Sequence, residues 1–380
     1  MPDFTTAIAL LRKPIEDAYN LAADTLKTKI SRIKVESKTR ELHTKLWSSQ
    51  RVKTLWNIDK PLSLASLYYP TPIQTDLGIK ENINTLDELP ENHYIVYGTV
   101  GQGKSMLMKY LLGRETKSGK RIPILTELRS IQGVSLEEHL SERFSALFGM
   151  DRDDDLFKYF AGIGKLSFLL DGVDEIDLAS TSKILSQLED LSFKYVDCRI
   201  VISSRPGFDC QTLTNFSSLS ISPLAREDLP RFYKKLTKDD DFNRRLLDAI
   251  DKSPFKMDGL IQTPLLATLL AISYRAAHKI PLEFSEFYDD LFDLLAVRHD
   301  AAKKGWRRAR RSQLDDNQLQ KTFEAFCYAT RKASQRTLDT ETAYKLANVS
   351  LTKLGHRASP QEFLGDIRDI TCLLSKEGAD

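Results

Sequence analysis

Three glycines fall within six residues between an apolar run and a helical pattern, and no other feature constrains this chain as tightly. The run Tyr94-Ile-Val-Tyr stops at Gly98-Thr-Val-Gly-Gln-Gly-Lys-Ser105, and apolar residues at helical spacing resume from Met106. Glycine tolerates positive φ and lets a backbone approach its ligand closely. A loop of this kind, followed by a helix, aims its N–H groups and the positive end of the helix dipole at one point, where phosphate oxygens are held. The spacing fits G-x-x-x-x-G-K-[ST]. Gly98, Thr99, Val100, Gly101, Gln102, Gly103 and the first helical turn through Met106 are therefore the expected cradle. Lys104 is expected to reach the β- and γ-phosphates, and Ser105 to ligate Mg²⁺. The pattern also arises by chance in loops; the strand before it and the amphipathic helix after it argue against chance here.

A phosphate cradle does not hydrolyse anything unaided. It needs a carboxylate on a neighbouring strand for Mg²⁺ and a group that orients water. Leu166-Ser-Phe-Leu-Leu-Asp-Gly-Val-Asp-Glu175 offers both. Asp171 ends an apolar strand and is the expected metal-side carboxylate, Asp174 adds charge at the same edge, and Glu175 is the expected base. A solvated acidic loop is the competing reading, weakened by the buried strand directly before it. A third run, Arg199-Ile-Val-Ile-Ser-Ser-Arg-Pro206, places Arg205 at the carboxyl edge of another strand, where open α/β sheets bind ligands. There an arginine can sense a γ-phosphate through charge-assisted hydrogen bonds.

Strand patterns (94–97, 122–125, 166–170, 199–203 and 217–222) alternate with helical ones (105–112, 136–148, 180–195), which predicts a parallel sheet covered by helices. Residues 4–47 read as helices, and so does most of the chain beyond Pro223. The expected division is an N-terminal helical segment over 1–60, an α/β nucleotide-binding domain over 61–222, a helical domain over 223–281 and an incomplete winged-helix-like domain over 282–380. Residues 369–380 look like one arm of a hairpin whose return strand is missing, so the chain reads as C-terminally truncated. With 41% hydrophobic residues and a net charge of +2, neither wholesale disorder nor global attraction to polyanions is expected. Cys198, Cys210, Cys327 and Cys372 form no CxxC pair. With no signal peptide and no span-length apolar run, a cytoplasmic protein that crosses no membrane is expected.

Together these motifs resemble the NACHT class of STAND P-loop NTPases. The family's G-x-x-G-x-G-K-[ST] pattern matches Gly98, Gly101, Gly103, Lys104 and Ser105. Its D-G-x-D-E form matches Asp171, Gly172, Asp174 and Glu175, and its [ST]-S-R-P sensor matches Ser203-Ser204-Arg205-Pro206. Arg121-Ile-Pro-Ile-Leu-Thr-Glu-Leu-Arg129 resembles the family's second strand. Thr263-Pro264-Leu265-Leu266 resembles its helical-domain motif, whose proline packs on adenine, a role that passes here to Pro264. The lead-in Thr54–Pro70 is similar to that of prokaryotic NACHT proteins, many of which act in anti-phage defence. The family's winged-helix histidine has no counterpart in this chain.

The resemblance implies an ATP/ADP switch with Mg²⁺, slow hydrolysis and homo-oligomerisation on activation by an unknown ligand or protein. A continuously cycling ATPase acting on nucleic acid or protein is the alternative. Its best support is the basic run containing Lys303, Lys304, Arg307, Arg308, Arg310 and Arg311 with Trp306 between them, although a solvated loop reads the same way. A small-molecule kinase would leave the D-G-V-D-E edge and the helical half without a purpose. Tyr68, Tyr69 and Ile73 precede the first central strand, where they either close an adenine pocket or pack in the core.

Overall fold

The computed structural model describes residues 4–57, 60–75, 78, 80–176, 178–208, 210, 212–253, 261–281, 287, 310–332 and 338–368. They fall into two compact units. One is drawn from Met1–Val52, Leu62–Lys238 and Ile261–Leu265, the other from Lys53–Pro61, Asp239–Leu260 and Leu266–Asp380.

The first unit opens with α1 (Phe4–Leu21), α2 (Asp24–Lys34) and α3 (Glu36–Ser49), a two-residue ladder of β1 (Arg51–Val52) with β2 (Leu62–Ser63), and the single turn α4 (Leu64–Leu67). The main sheet follows: β3 (Ile73–Thr75), β4 (Lys80–Glu81), β5 (His93–Tyr97), β6 (Ile122–Glu127), β7 (Leu166–Asp171), β8 (Arg199–Ser204) and β9 (Ser217–Ile221). Between the strands lie α5 (Lys104–Ser118), α6 (Leu136–Leu147), α7 (Asp154–Gly162) and α8 (Leu178–Lys194). The spatial order is β4-β3-β9-β5-β8-β7-β6. Strands β9, β5, β8, β7 and β6 run parallel, while β3 joins β9 and β4 joins β3 antiparallel.

Parallel strands covered on both faces read as unbroken apolar runs. Leu166, Phe168, Leu169 and Leu170 are fully buried, and so are Ile200 and Ile202. After β3 and β4 at one side, the chain enters the middle of the sheet at β5, crosses to the other edge at β6, returns through β7 and β8, and then passes β5 to reach β9. Both directions of winding meet around the carboxyl end of β5, where such sheets hold ligands. The two antiparallel strands at the far edge and helix α7 were not expected from sequence.

Helices α1–α3 share the core of the sheet. Leu11, Ile15, Ile30, Ile33 and Leu42 are fully buried in the same apolar cluster as the central strands. Polar ties reinforce the seam: Lys165 to Asp17 at 2.6 Å, Lys29 to Asp153 at 2.9 Å, and the Tyr159 hydroxyl donating to the Ala18 carbonyl at 2.9 Å. These helices thus cover the sheet. Leu42→Ala should therefore destabilise the whole unit by about 2–5 kcal/mol, the usual cost of a buried Leu-to-Ala cavity. Chemical denaturation should show one shared transition; loss of helical signal ahead of the sheet would contradict the common core.

The rest of the first unit holds α9 (Leu229–Thr237) and the start of α11 (Pro264–Ala277). In the second unit, α10 (Asp240–Lys252) and the remainder of α11 hold Trp56. Its ring lies 5.5 Å from Phe242, and Arg275 sits over it at 4.1 Å. Helices over Asp316–Lys332, Thr340–Lys353 and Pro360–Asp366 pack around Leu319, Phe326, Leu351 and Phe363. Apart from Phe287, residues 282–309 lie outside the described residues, and so does the hairpin arm expected over 369–380.

Candidate functional site

The loop from Gly98 to Ser105 joins β5 to α5 at the switch point. Gly101 and Gly103 have φ of +76° and +95°, a region costly for residues with a Cβ. At Gly101 a Cβ would also lie 2.6 Å from that of Leu265, so glycine is required twice over. No side chain caps α5, which leaves the N–H groups of its first turn open to an anion. The Lys104 ammonium lies back across the loop, donating to the Gly98 carbonyl at 2.5 Å and to that of Thr99 at 3.3 Å. Burial pulls its pKa down, while Asp174 is the carboxylate that most opposes this.

Gln102 counts only as a variable position in the motif, yet it is buried and organises the loop. Its Oε1 accepts from the Thr99 N–H at 2.6 Å, and its Nε2 donates to the Ile221 carbonyl of β9 at 2.7 Å. The Gly98 N–H donates to the Ser204 carbonyl at 3.1 Å. The cradle is thus pinned to both neighbours of β5. Val100 is half-buried, and Met106 packs with Leu64 and Leu67 of α4.

The acidic edge is built by register. Parallel pairing sets Glu127 of β6 opposite Asp171 of β7. Ser203 of β8 donates to Asp171 at 2.5 Å and accepts from the Gly172 N–H at 2.8 Å. Asp174, its side chain 8% exposed, accepts from the Arg205 N–H at 3.1 Å and pairs with Arg205 Nε at 2.9 Å. Asp174 therefore fixes the position of Arg205 instead of facing outward with Glu175. Ser203, Glu127 and Arg129 are site residues the motif reading left without a role, and Arg129 ties the edge together. Two residues past the end of β6, it bridges Glu127 at 2.7 Å and Glu175 at 3.0 Å. The terminal Leu-Arg of the second-strand motif was its one visible signal.

Burial raises the Glu175 pKa; Arg129 counters this, and Asp174 and Asp171 add to it. A carboxylate base is active only when deprotonated, so hydrolysis should fall as pH drops through a value raised above that of an ordinary glutamate. Arg129→Ala removes the stabilising cation and should move that acid limb further up. It should also free the carboxylate to act on water, with a rise in plateau rate of up to roughly fivefold, since exposed pairs contribute about 1 kcal/mol or less. Single-turnover rates across pH test both; an unmoved limb and an unchanged plateau would show that the pair is idle.

Ser105 and Asp171 fit the demand of Mg²⁺ for one or two protein oxygens alongside substrate phosphates. Among the described residues no cluster of three or more metal-ligating side chains exists, so any metal here would depend on phosphate for the rest of its shell. Pro264 opens α11, and the Leu265 N–H donates to the Gly101 carbonyl at 3.2 Å. Tyr68 stacks on Tyr110 at 4.5 Å, the Tyr69 hydroxyl donates to Asp228 at 2.6 Å, and Ile73 lies in β3, between β4 and β9. Of the basic run, Lys303, Lys304, Trp306, Arg307 and Arg308 lie outside the described residues. Arg310 donates to the Leu314 carbonyl at 2.8 Å and pairs with Asp316, and the Arg311 N–H caps onto Asp366. Among the described residues no helix is long and apolar enough to cross a membrane.

No family model matches the sequence. An uncharacterised ATP-binding protein of Methanocaldococcus jannaschii is 28% identical over 131 residues, covering 34% of this chain and 33% of that protein. The match thus spans about a third of the relative's length. Among solved structures, Cdc6p of Pyrobaculum aerophilum covers 74% of this chain and 81% of its own, with a TM-score of 0.32 and 11% identity. The RuvB Holliday junction branch migration motor of Thermotoga maritima covers 72% and 80%, with 0.34 and 10%. The Orc1 protein of Aeropyrum pernix, solved in complex with DNA, covers 74% and 78%, with 0.37 and 10%. Overlays at these scores carry no functional weight. The strand order, the glycine loop at the switch point and the acidic strand end two places away make this an α/β P-loop NTPase fold followed by a helical region.

Proposed function

We propose that this chain is a nucleotide-operated switch of the NACHT type, binding ATP and ADP with Mg²⁺ and hydrolysing ATP slowly. The observation that carries the reading is the hydrogen bond from the Leu265 N–H to the Gly101 carbonyl, with the Leu265 side chain against the loop. The phosphate loop is thereby joined to the first turn of α11, whose residues from Leu266 onward belong to the second unit. A ligand shifts a conformational equilibrium only through contacts that differ between states. The γ-phosphate is the difference between ATP and ADP, and Arg205 and Lys104 are the cations placed to meet it. Exchange of ADP for ATP would alter the loop, pass to α11 and free the chain to form homo-oligomers; Glu175, restrained by Arg129, would reset it. The ATP-binding description of the archaeal relative supports the nucleotide, and the D-G-V-D-E edge supports the NACHT assignment. A role in anti-phage signalling rests on the lead-in motif.

The test is to denature the purified protein and identify released nucleotide by chromatography. Near-stoichiometric ADP is expected, as a resting switch requires. A chain that purifies empty and turns over ATP many times per minute would replace the switch with a cycling ATPase.

A further inference from the structure

A second concave site lies on the first unit, lined by Ser66, Tyr69, Pro70, Asn82, Arg231, Lys234 and Lys235, with a volume of about 530 Å³. None of these residues belongs to the phosphate loop or the acidic edge. Three of them are cations on one face of α9, at positions i, i+3 and i+4, where side chains are neighbours and like charges repel. None of the three forms an ion pair among the described residues. Some other surface cations of the same unit do, such as Lys29 with Asp153, Lys165 with Asp17, Lys194 with Glu137 and Arg152 with Asp154. The acid nearest by sequence that touches the pocket wall, Asp228, is already engaged. Its oxygens accept from the Tyr69 hydroxyl at 2.6 Å and the Ala225 N–H at 2.9 Å. That bond also orients the Tyr69 ring beside Pro70, so the pocket has a rigid aromatic wall and a cationic rim. Asn82 adds a side-chain amide.

We propose that this pocket binds a small, multiply phosphorylated molecule, separate from the nucleotide of the glycine loop. Three neighbouring cations with no ion-pair partner among the described residues call for more than one phosphate charge, supplied through charge-assisted hydrogen bonds in which Arg231 is suited to two oxygens at once. The volume of this open pocket lies within the range of small-ligand sites. A nucleic-acid strand would call for a basic track extending beyond one pocket.

The probe is inorganic tripolyphosphate, titrated calorimetrically into the full chain carrying Lys104→Ala, so that the glycine loop contributes little. One equivalent is expected to bind, and adding Arg231→Glu with Lys234→Glu should weaken it by about tenfold or more, the effect of losing charged contacts. The same double substitution in a chain that keeps Lys104 should leave the Lys104-dependent ATP-binding event unchanged, which separates this site from the loop and shows the variant is folded. Absence of binding to the Lys104→Ala chain, or equal binding after charge reversal, overturns the proposal. A single-stranded oligonucleotide that binds more tightly than tripolyphosphate, and loses as much on charge reversal, overturns the small-molecule assignment.

Discussion

Lys104→Ala is expected to lower nucleotide affinity by roughly a hundredfold or more, because a charged hydrogen-bonding group contributes about 1.5–3 kcal/mol and this one would serve two phosphates. The ammonium is half-buried, and its N–H groups now reach only backbone carbonyls of its own loop. A lowered lysine pKa means the charged form lacks full solvation. Phosphate oxygens restore what burial removes, so the cation is poised for an anion. The alanine variant should fold normally, since removing a desolvated ammonium carries no stability penalty of its own. Calorimetric titration with ATP and ADP, beside a thermal unfolding curve, separates the two effects. Binding within a few-fold of wild type, with an unchanged unfolding midpoint, would remove Lys104 from the phosphate site.

The glycine loop, the acidic strand end and the Ser-Ser-Arg-Pro turn were legible because each is a local string whose chemistry depends on its own neighbours. The central strands were legible because burial on both faces removes the polar residues that would blur them. What stayed hidden is made by pairs far apart in sequence. Gln102 finds the Ile221 carbonyl only because β9 lies beside β5. Arg129 meets Glu175 only because β6 and β7 pair in register. The periodicity of α1–α3 marked a buried face but not what it would be buried against, since an amphipathic stripe looks the same on a free bundle and on a sheet domain. The edge strands β3 and β4 are two or three residues long, too short for alternation to show.

Glu175→Gln should leave nucleotide affinity within about threefold of wild type and cut single-turnover hydrolysis by roughly a hundredfold or more, the lower range of a positioned general base. Glutamine keeps the shape of the side chain and removes both the charge and the basicity. Affinity should be spared because, in the proposed function, the loop, Lys104 and Arg205 hold the phosphates from the β5 and β8 strand ends. The partner of Glu175 makes the experiment sharper. If Arg129 acts on hydrolysis only through the carboxylate it pairs with, at 3.0 Å, its substitution should lose all effect once that carboxylate is gone. The Arg129→Ala, Glu175→Gln double variant should hydrolyse at the rate of Glu175→Gln alone, whereas Arg129→Ala alone accelerates. Such non-additivity between touching residues is what a double-mutant cycle detects. Equal hydrolysis by wild type and Glu175→Gln would sink the base assignment. Acceleration by Arg129→Ala that persists in the double variant would place the action of Arg129 elsewhere at the site, beside Asp171 or the phosphates themselves.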